Sequence, residues 1–206
     1  MFYETRRNDH GLPHDPFKAI VAPRPIGWIS TRSRSGAVNL APYSFFNAIA
    51  DHPKLVMFSS SGMKDTASFA IESGEFVANL ATGALARAVV RSSAPAPRGT
   101  SEFSIAGLTE APCRLVAAPR VGEAPAALEC KVTEWFQPKG ADGRASENVM
   151  VIGEVVGIHI DESILTNGMI DMGLAAPLSR LGYLDYAVTE AVFQLDRPRR
   201  ADGGDI

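Results

Sequence analysis

Apolar residues in this chain gather in short runs, broken every few positions by glycine, proline or clustered hydroxyls. Runs of that length, rich in branched and aromatic side chains, predict β-strands. Residues 17–22 (FKAIVA) and 26–31 (IGWIST) are two of them. Residues 33–36 (SRSG) are turn chemistry and the apolar pattern resumes after them, so residues 26–41 predict a hairpin. Further strands are predicted at 54–60 (KLVMFSS) and at 74–82 (GEFVANLAT), the second entered through Gly74 at a helix end. Residues 127–136 (ALECKVTEWF) alternate, with Leu128, Cys130 and Val132 on one side and Glu129, Lys131 and Thr133 on the other. Residues 148–160 (NVMVIGEVVGIHI) are apolar on both faces, and Gly153 and Gly157 within them predict bends or close backbone approach, as at barrel corners. The apolar stretches 183–188 and 191–195 close the chain.

Helical patterns are short: residues 66–73, residues 83–94, and one more among the turns of 161–182. Residues 94–103 (APAPRGTSEF) predict a loop, and 138–147 (PKGADGRASE) a hairpin tip. There is no strand–helix alternation of the doubly wound kind, no internal repeat and no linker. The predicted class is mainly β, a closed or partly open barrel with a few short helices.

The chain has 206 residues, enough for one domain with a sizeable core. A net charge of −3 gives no footprint for nucleic acid or an anionic membrane surface. No apolar run approaches the ~20 residues that span a bilayer, and the polar N-terminus is not a secretory signal, so the cytoplasm is the expected location. Cys113 and Cys130 form no CxxC pair and are expected to be reduced, with Cys130 in the core. His10 and His14 have the HxxxH spacing of a helical metal site, but Gly11 and Pro13 spoil that helix. Residues 1–16 therefore predict an exposed strap or tail, no metal is expected, and residues 197–206 are expected to fray.

No GxGxxG, P-loop, GxSxG elbow, HExxH or paired CxxC is present, which argues against the chemistries those motifs carry. Two segments hold candidate chemistry. Residues 59–69 (SSSGMKDTASF) put hydroxyls and a lysine where a strand hands over to a helix. That is either an ordinary N-cap by Asp65 or Thr66, or an anion cradle built on a bare helix start. Residues 39–53 (NLAPYSFFNAIADHP) place Ser44, Phe45, Phe46 and Asn47 after a strand and at the entry to a loop. Apolar faces beside a hydroxyl and an amide suit a flat heteroaromatic ring, and equally a plain core.

These segments also carry a resemblance. Residues 23–31 (PRPIGWIST), 39–49 (NLAPYSFFNAI), 56–66 (VMFSSS…KDT) and 74–80 (GEFVANL) follow one another as in the flavin reductase-like family. Residues 102–112 (EFSIAGLTEAP), 118–130 (APRVGEAPAALEC), 153–160 (GEVVGIHI) and 177–187 (PLSRLGYLDYA) continue the series. The chain is similar to an FMN-binding split β-barrel, Greek-key-like, over residues 17–190, with a strap at 1–16 and a closing strand and flexible tail at 191–206.

The resemblance implies a homodimer with FMN near the subunit interface. Ser44, Phe45, Phe46 and Asn47 match the segment that lines the isoalloxazine, and Ser59, Ser60, Lys64 and Thr66 the segment that holds the phosphate, with Asp65 among them as a cap. His159 matches a histidine placed near the flavin, the candidate catalytic residue; a core histidine is the competing reading. Arg180 matches an arginine that precedes a Gly-Gly pair in the family, where this chain has Gly182–Tyr183; a surface ion pair is its alternative. The implied activity is hydride transfer from NADH or NADPH to FMN, with an oxygenase or redox protein as possible partner. A flavoredoxin-like electron carrier for a protein partner and a non-enzymatic ligand-binding barrel are the rival functions.

Overall fold

The hairpin predicted over residues 26–41 forms. β1 (Gly27–Arg32) runs antiparallel to β2 (Val38–Tyr43), with Gly27 opposite Tyr43 and Arg32 opposite Val38. Ser33 N–H donates to the Ala37 carbonyl at 2.8 Å to close the turn, and Gly36 supplies its left-handed φ of 93°. The computed structural model describes residues 1–94, 96 and 100–196. Five more strands join the hairpin: β3 (Phe46–Asp51), β4 (Lys54–Ser61), β5 (Glu75–Leu80), β6 (Ala126–Phe136) and β7 (Asn148–Ile160). Together they make one seven-stranded antiparallel sheet in the order β2-β1-β5-β6-β7-β4-β3.

Consecutive strands β2 and β3 thus sit on opposite edges, yet only Ser44 and Phe45 connect them. In a flat sheet the edges would be roughly 29 Å apart at ~4.8 Å per strand. The link from Tyr43 to Phe46 spans at most ~11 Å. The sheet must therefore curl into a half-barrel until its edges approach. Phe46 marks that approach: a Cβ on Gly27 would lie 2.4 Å from its ring. Inside the curl pack Ile29, Val56, Phe58, Phe76, Cys130 and Val151. The Phe58 ring meets Phe76 edge-on at 5.3 Å and Tyr43 at 5.0 Å.

Among the described residues five short α-helices accompany the sheet: α1 (Phe17–Ile20), α2 (Asp65–Ser73), α3 (Ala86–Arg91), α4 (Glu102–Ala106) and α5 (Met172–Ala175), the last being the helix expected among the turns of 161–182. α2 buries Ala67 and Ala70 on the barrel core and ends at Gly74 in a left-handed C-cap, as predicted. A second core, around Trp28, Leu40, Val89 and Phe103, lies between the other face of β1 and α3 and α4. The buried Trp28 indole N–H is satisfied by Ser92 Oγ at 2.8 Å. β1 is thus covered on both faces, which its unbroken apolar run requires. Arg24–Pro25, Leu178–Arg180 and Tyr186–Val188 form a small separate sheet.

Several expectations need correction. Residues 17–22 carry a strand-like composition but form α1, started by Asp15 Oδ1 accepting from Phe17 N–H at 2.8 Å; Phe17 and Ile20 stay exposed because no strand edge lies beside them. Phe46 and Asn47 open an edge strand, not a loop. The predicted loop 94–103 ends in the first turn of α4, and residues 95 and 97–99 within it lie outside the described residues, as does the tail 197–206. The closing strand expected at 191–195 does not form; the last strand is Tyr186–Val188. Glu129, placed outward by alternation, is buried, because the segment around Val116 and Ala118 packs over that face of β5 and β6.

Gly153 and Gly157 sit at breaks in the β6–β7 register, where the pairing shifts. A Cβ on Gly153 would lie 2.5 Å from the Phe76 ring. Gly153→Ala is expected to cost about 1–3 kcal/mol by overpacking this corner. Urea unfolding measures it, and wild-type stability in the variant would refute the close approach.

Candidate functional site

Two cavities meet beside the Ser44–Phe45 link. The first, of about 470 Å³, is lined by Asp15, Lys18, Arg24, Pro42, Ser44, Ser93, Arg180, Tyr183 and Tyr186 among others. The second, of about 420 Å³, is lined by Asn39, Pro42, Lys64, Asp65, Thr66, Ser93 and Glu102 among others. Pro42 and Ser93 border both, so the two are chambers of one cleft.

The first chamber is organised by Arg24, which is only 6% exposed. Its Nη1 donates to the carbonyls of Lys18 and Val21, and its Nη2 to that of Leu181 at 2.8 Å. Its Nε reaches Ser44 Oγ at 3.5 Å. One side chain thereby ties α1, the C-terminal segment and the strand link together. Burial and the neighbouring Arg180 both push the Arg24 guanidinium below its ordinary pKa. Arg180 lies over the Tyr186 ring at 4.5 Å and donates to the Tyr183 carbonyl. No ion pair holds it among the described residues, so the surface pair considered as its alternative is not formed there. The Lys18 ammonium sits 6.0 Å from the centre of the Phe45 ring. The cations Lys18, Arg24 and Arg180 thus face Asp15 alone among the acidic groups lining this chamber.

In the second chamber α2 begins at Asp65, with Lys64 in the N-cap position and no side-chain cap bond from it. The ordinary cap by Asp65 or Thr66 is therefore not the arrangement adopted. Thr66 is buried, and its hydroxyl donates to Asn39 Oδ1. The Asn39 amide donates to both Glu102 oxygens at 3.1 Å, and Leu40 N–H donates to Glu102 Oε2 at 2.9 Å. This chain of bonds fixes the start of α2 to β2 and α4. Burial pushes the Glu102 carboxyl above its ordinary pKa, against the lowering effect of the Leu40 N–H. Lys64 is exposed at the rim and makes no ion pair among the described residues. A helix start without a side-chain cap from its N-cap residue, beside an exposed ammonium, is an anion-binding arrangement.

Of the residues singled out in the sequence, the cleft gathers Ser44, Lys64, Asp65 and Thr66, with Phe45 adjoining through Lys18. The others lie elsewhere. Ser59 Oγ accepts from Asn148 Nδ2 at 3.0 Å, and its N–H donates to the Phe45 carbonyl at 2.9 Å, so it braces the link from behind. Ser60 is fully buried, and its hydroxyl has no hydrogen-bond partner among the described residues. Phe46 packs over Gly27 and lines an apolar groove of about 440 Å³ that shares only Ile26 with the first chamber. Asn47 is exposed and accepts from Ala48 N–H at 2.9 Å. His159 borders a further cavity beside Glu129 that shares no lining residue with the cleft, so within one chain it is not brought to Ser44 or Lys64. Sequence reasoning missed Lys18, Arg24, Asn39 and Glu102. The one signal was an arginine between two prolines ahead of a buried strand.

The flavin reductase like domain family matches residues 21–180, most of the chain. This chain belongs to the flavin reductase-like family. An uncharacterized protein of Halalkalibacterium halodurans is 38% identical over 183 residues, covering 86% of this chain and 87% of that one. Among solved structures, nitrilotriacetate monooxygenase component B from Bacillus cereus superposes with a TM-score of 0.81 at 30% identity, covering 91% of this chain and 96% of that one. A candidate flavin reductase with split barrel domain from Shewanella frigidimarina gives a TM-score of 0.78 at 22% identity, covering 95% and 94%, which shows the fold. The half-barrel of this family member is thus the split barrel that its sequence resembles. No helix among its described residues is long and apolar enough to cross a membrane.

The Glu102 environment makes a pH-dependent prediction for this flavin reductase-like chain. A carboxyl with its folded pKa above its unfolded value binds its proton more tightly in the native state. Its contribution to stability is complete below the unfolded value of about 4.3 and is lost as pH rises through the folded value. Relative to Glu102→Gln, the wild-type chain should therefore lose stability with rising pH across that window. Unfolding free energies measured at several pH values test this; a pH-independent difference between the two proteins would refute it.

Proposed function

We propose that the chain is an NAD(P)H-dependent flavin reductase that binds FMN in the two-chambered cleft. The observation that carries the reading is the meeting of the Ser44–Phe45 link, the start of α2 with Lys64, and the cation cluster of Lys18, Arg24 and Arg180 around one opening. The residues fit the cofactor in chemistry: an ammonium and the positive end of a helix for a phosphate, and a hydroxyl and an aromatic face for a flat polar ring. Both chambers lie in the ~300–1,000 Å³ range of small-molecule sites.

When bound, FMN supplies the redox chemistry, accepting a hydride from the nicotinamide. The protein's own part is binding and placement. Lys64 and the start of α2 hold the phosphate. Ser44 and Phe45 meet the ring, held in place by Arg24 in front and Ser59 behind. Lys18 and Arg180 remain to attract the phosphates of the nicotinamide nucleotide. Such a reaction needs aligned rings and excluded water more than an acid or base. His159 serves it, in this reading, only across a subunit interface. The apolar groove beside Phe46, with Ile170 and Met172 exposed at its edge, supports a homodimer. The likeness to a monooxygenase component B supports delivery of reduced flavin to an oxygenase partner. The cytoplasm suits both the nicotinamide supply and two free cysteines.

Flavin titrations and NAD(P)H oxidation test the reading together. Lys64→Ala should weaken FMN binding roughly ten-fold or more, the worth of a charge-assisted hydrogen bond, and leave riboflavin affinity unchanged. Arg180→Ala should raise KM for the nicotinamide nucleotide without changing FMN affinity. Equal losses for FMN and riboflavin in Lys64→Ala would remove the phosphate from this end of the cleft. Tight FMN binding without NAD(P)H oxidation would favour an electron carrier, and no binding at ~100 μM FMN, weaker than about −5.5 kcal/mol, would leave a barrel for another ligand. Light scattering should give the mass of a dimer; a monomer that still binds FMN would refute an interface site.

A further inference from the structure

One side-chain cluster lies outside the cleft and borders a cavity that shares no lining residue with it. The ligand atoms of Cys113, Glu129 and His159 all lie within 4.8 Å of one another. They come from three separate segments: the loop that covers the sheet, β6 and β7. Glu129 is 1% exposed, and its carboxylate is aimed by the backbone. Its Oε1 accepts from Arg114 N–H at 2.9 Å, and its Oε2 from Leu115 N–H at 2.6 Å and Val116 N–H at 3.1 Å. His159 Nε2 lies 2.5 Å from Oε1. Cys113 is a free, half-buried thiol. A cavity of about 360 Å³ opens onto Glu129 and His159, and Gly157 leaves room beside them.

We propose that Cys113, Glu129 and His159 bind a zinc-type divalent cation, with a water from this cavity as the fourth ligand. The donor set decides the metal class. Sulfur, imidazole nitrogen and one carboxylate oxygen suit zinc and its neighbours, whereas calcium and magnesium take oxygen ligands. Metal–ligand bonds of about 2.0–2.3 Å put tetrahedral ligand atoms roughly 3.2–3.8 Å apart. The cluster reaches that spacing by small movements: the imidazole backs away from Glu129 by about 0.7 Å, and the Cys113 thiol closes in. The carboxylate need not move, because its backbone donors stay in place and act as the outer shell that orients a ligand. On binding, the Cys113 thiol releases its proton to solvent, and His159 ligates through Nε2 free of a proton. The cation would pin the 113–116 loop to β6 and β7. None of this rests on the flavin reading.

The test uses the full chain, stripped of metal and flavin and titrated with Co²⁺. The expected result is a single Co²⁺ per chain, with the intense visible bands of tetrahedral cobalt, a near-ultraviolet thiolate-to-cobalt band, and displacement by Zn²⁺. Cys113→Ser should abolish the thiolate band, and both it and His159→Gln should weaken binding by more than the ~10-fold typical of outer-shell changes. A His10→Ala/His14→Ala double variant should bind as wild type. Zn²⁺ should also raise the wild-type melting temperature, a readout that needs no variant to fold. No stoichiometric Co²⁺ binding, no thermal shift with Zn²⁺, or a spectrum unchanged in Cys113→Ser would each overturn the site.

Discussion

Ser44 and Phe45 must join two strands that lie on opposite edges of a seven-stranded sheet. Because the link cannot cross a flat sheet, the sheet curls, its edges approach, and Phe46 closes over Gly27. The curl creates the inner core of aromatic and branched residues. It also leaves a seam where β2 hands over to β3, with backbone that no neighbouring strand occupies on both sides. A cleft at such a seam follows from topology: loops and strand ends there are fixed by the barrel but not filled by it.

Polar bonds then give the seam its shape. Arg24 donates to three backbone carbonyls, two from α1 and its C-cap and one just past the strand Leu178–Arg180, so α1 and the C-terminal segment are held against the link by one buried cation. On the other side, Thr66, Asn39 and Glu102 form a buried chain that locks the start of α2 to β2. Leaving any of these groups unpaired would cost roughly 1–3 kcal/mol, so each network resists local opening. The groups at the rim, Lys18, Lys64 and Arg180, are by contrast cations with no ion pair among the described residues. A rigid frame carrying free charge at its mouth is what binding of an anionic nucleotide needs, because the ordering cost is met by folding. The far end of β6 and β7 uses the same device differently: Glu129 is fixed by three backbone donors and presents its charge to His159 and Cys113.

Much of this was legible in the chain. The strands of the 26–41 hairpin and of 54–60, 127–136 and 148–160 follow from alternation and apolar runs, because side-chain burial on a sheet is written with a period of two. Gly74 announced its helix end through its left-handed φ, and Gly153 the corner, where a side chain would run into the Phe76 ring. The family rested on ordered motifs, as did the choice of Ser44 and Lys64 to Thr66 as candidate residues. What local pattern could not decide was anything set by a neighbour distant in sequence. Residues 17–22 have strand composition but no edge to pair with, and so coil into α1. Residues 46–51 have no strong pattern but a waiting edge at β4, and so extend. Glu129 alternates outward, yet a loop from residues 113–118 covers it. Arg24, Asn39 and Glu102 gain their roles from partners up to 157 positions away, as in the Arg24–Leu181 bond. Sequence alone determined which segments are strands, which turns bend and which family the fold follows, because these are properties of adjacent residues. Only the tertiary structure decided which hydroxyls face the cleft, which are spent on bracing, and where His159 sits, because a side chain's surroundings are fixed by the curl of the sheet and not by its neighbours in the chain.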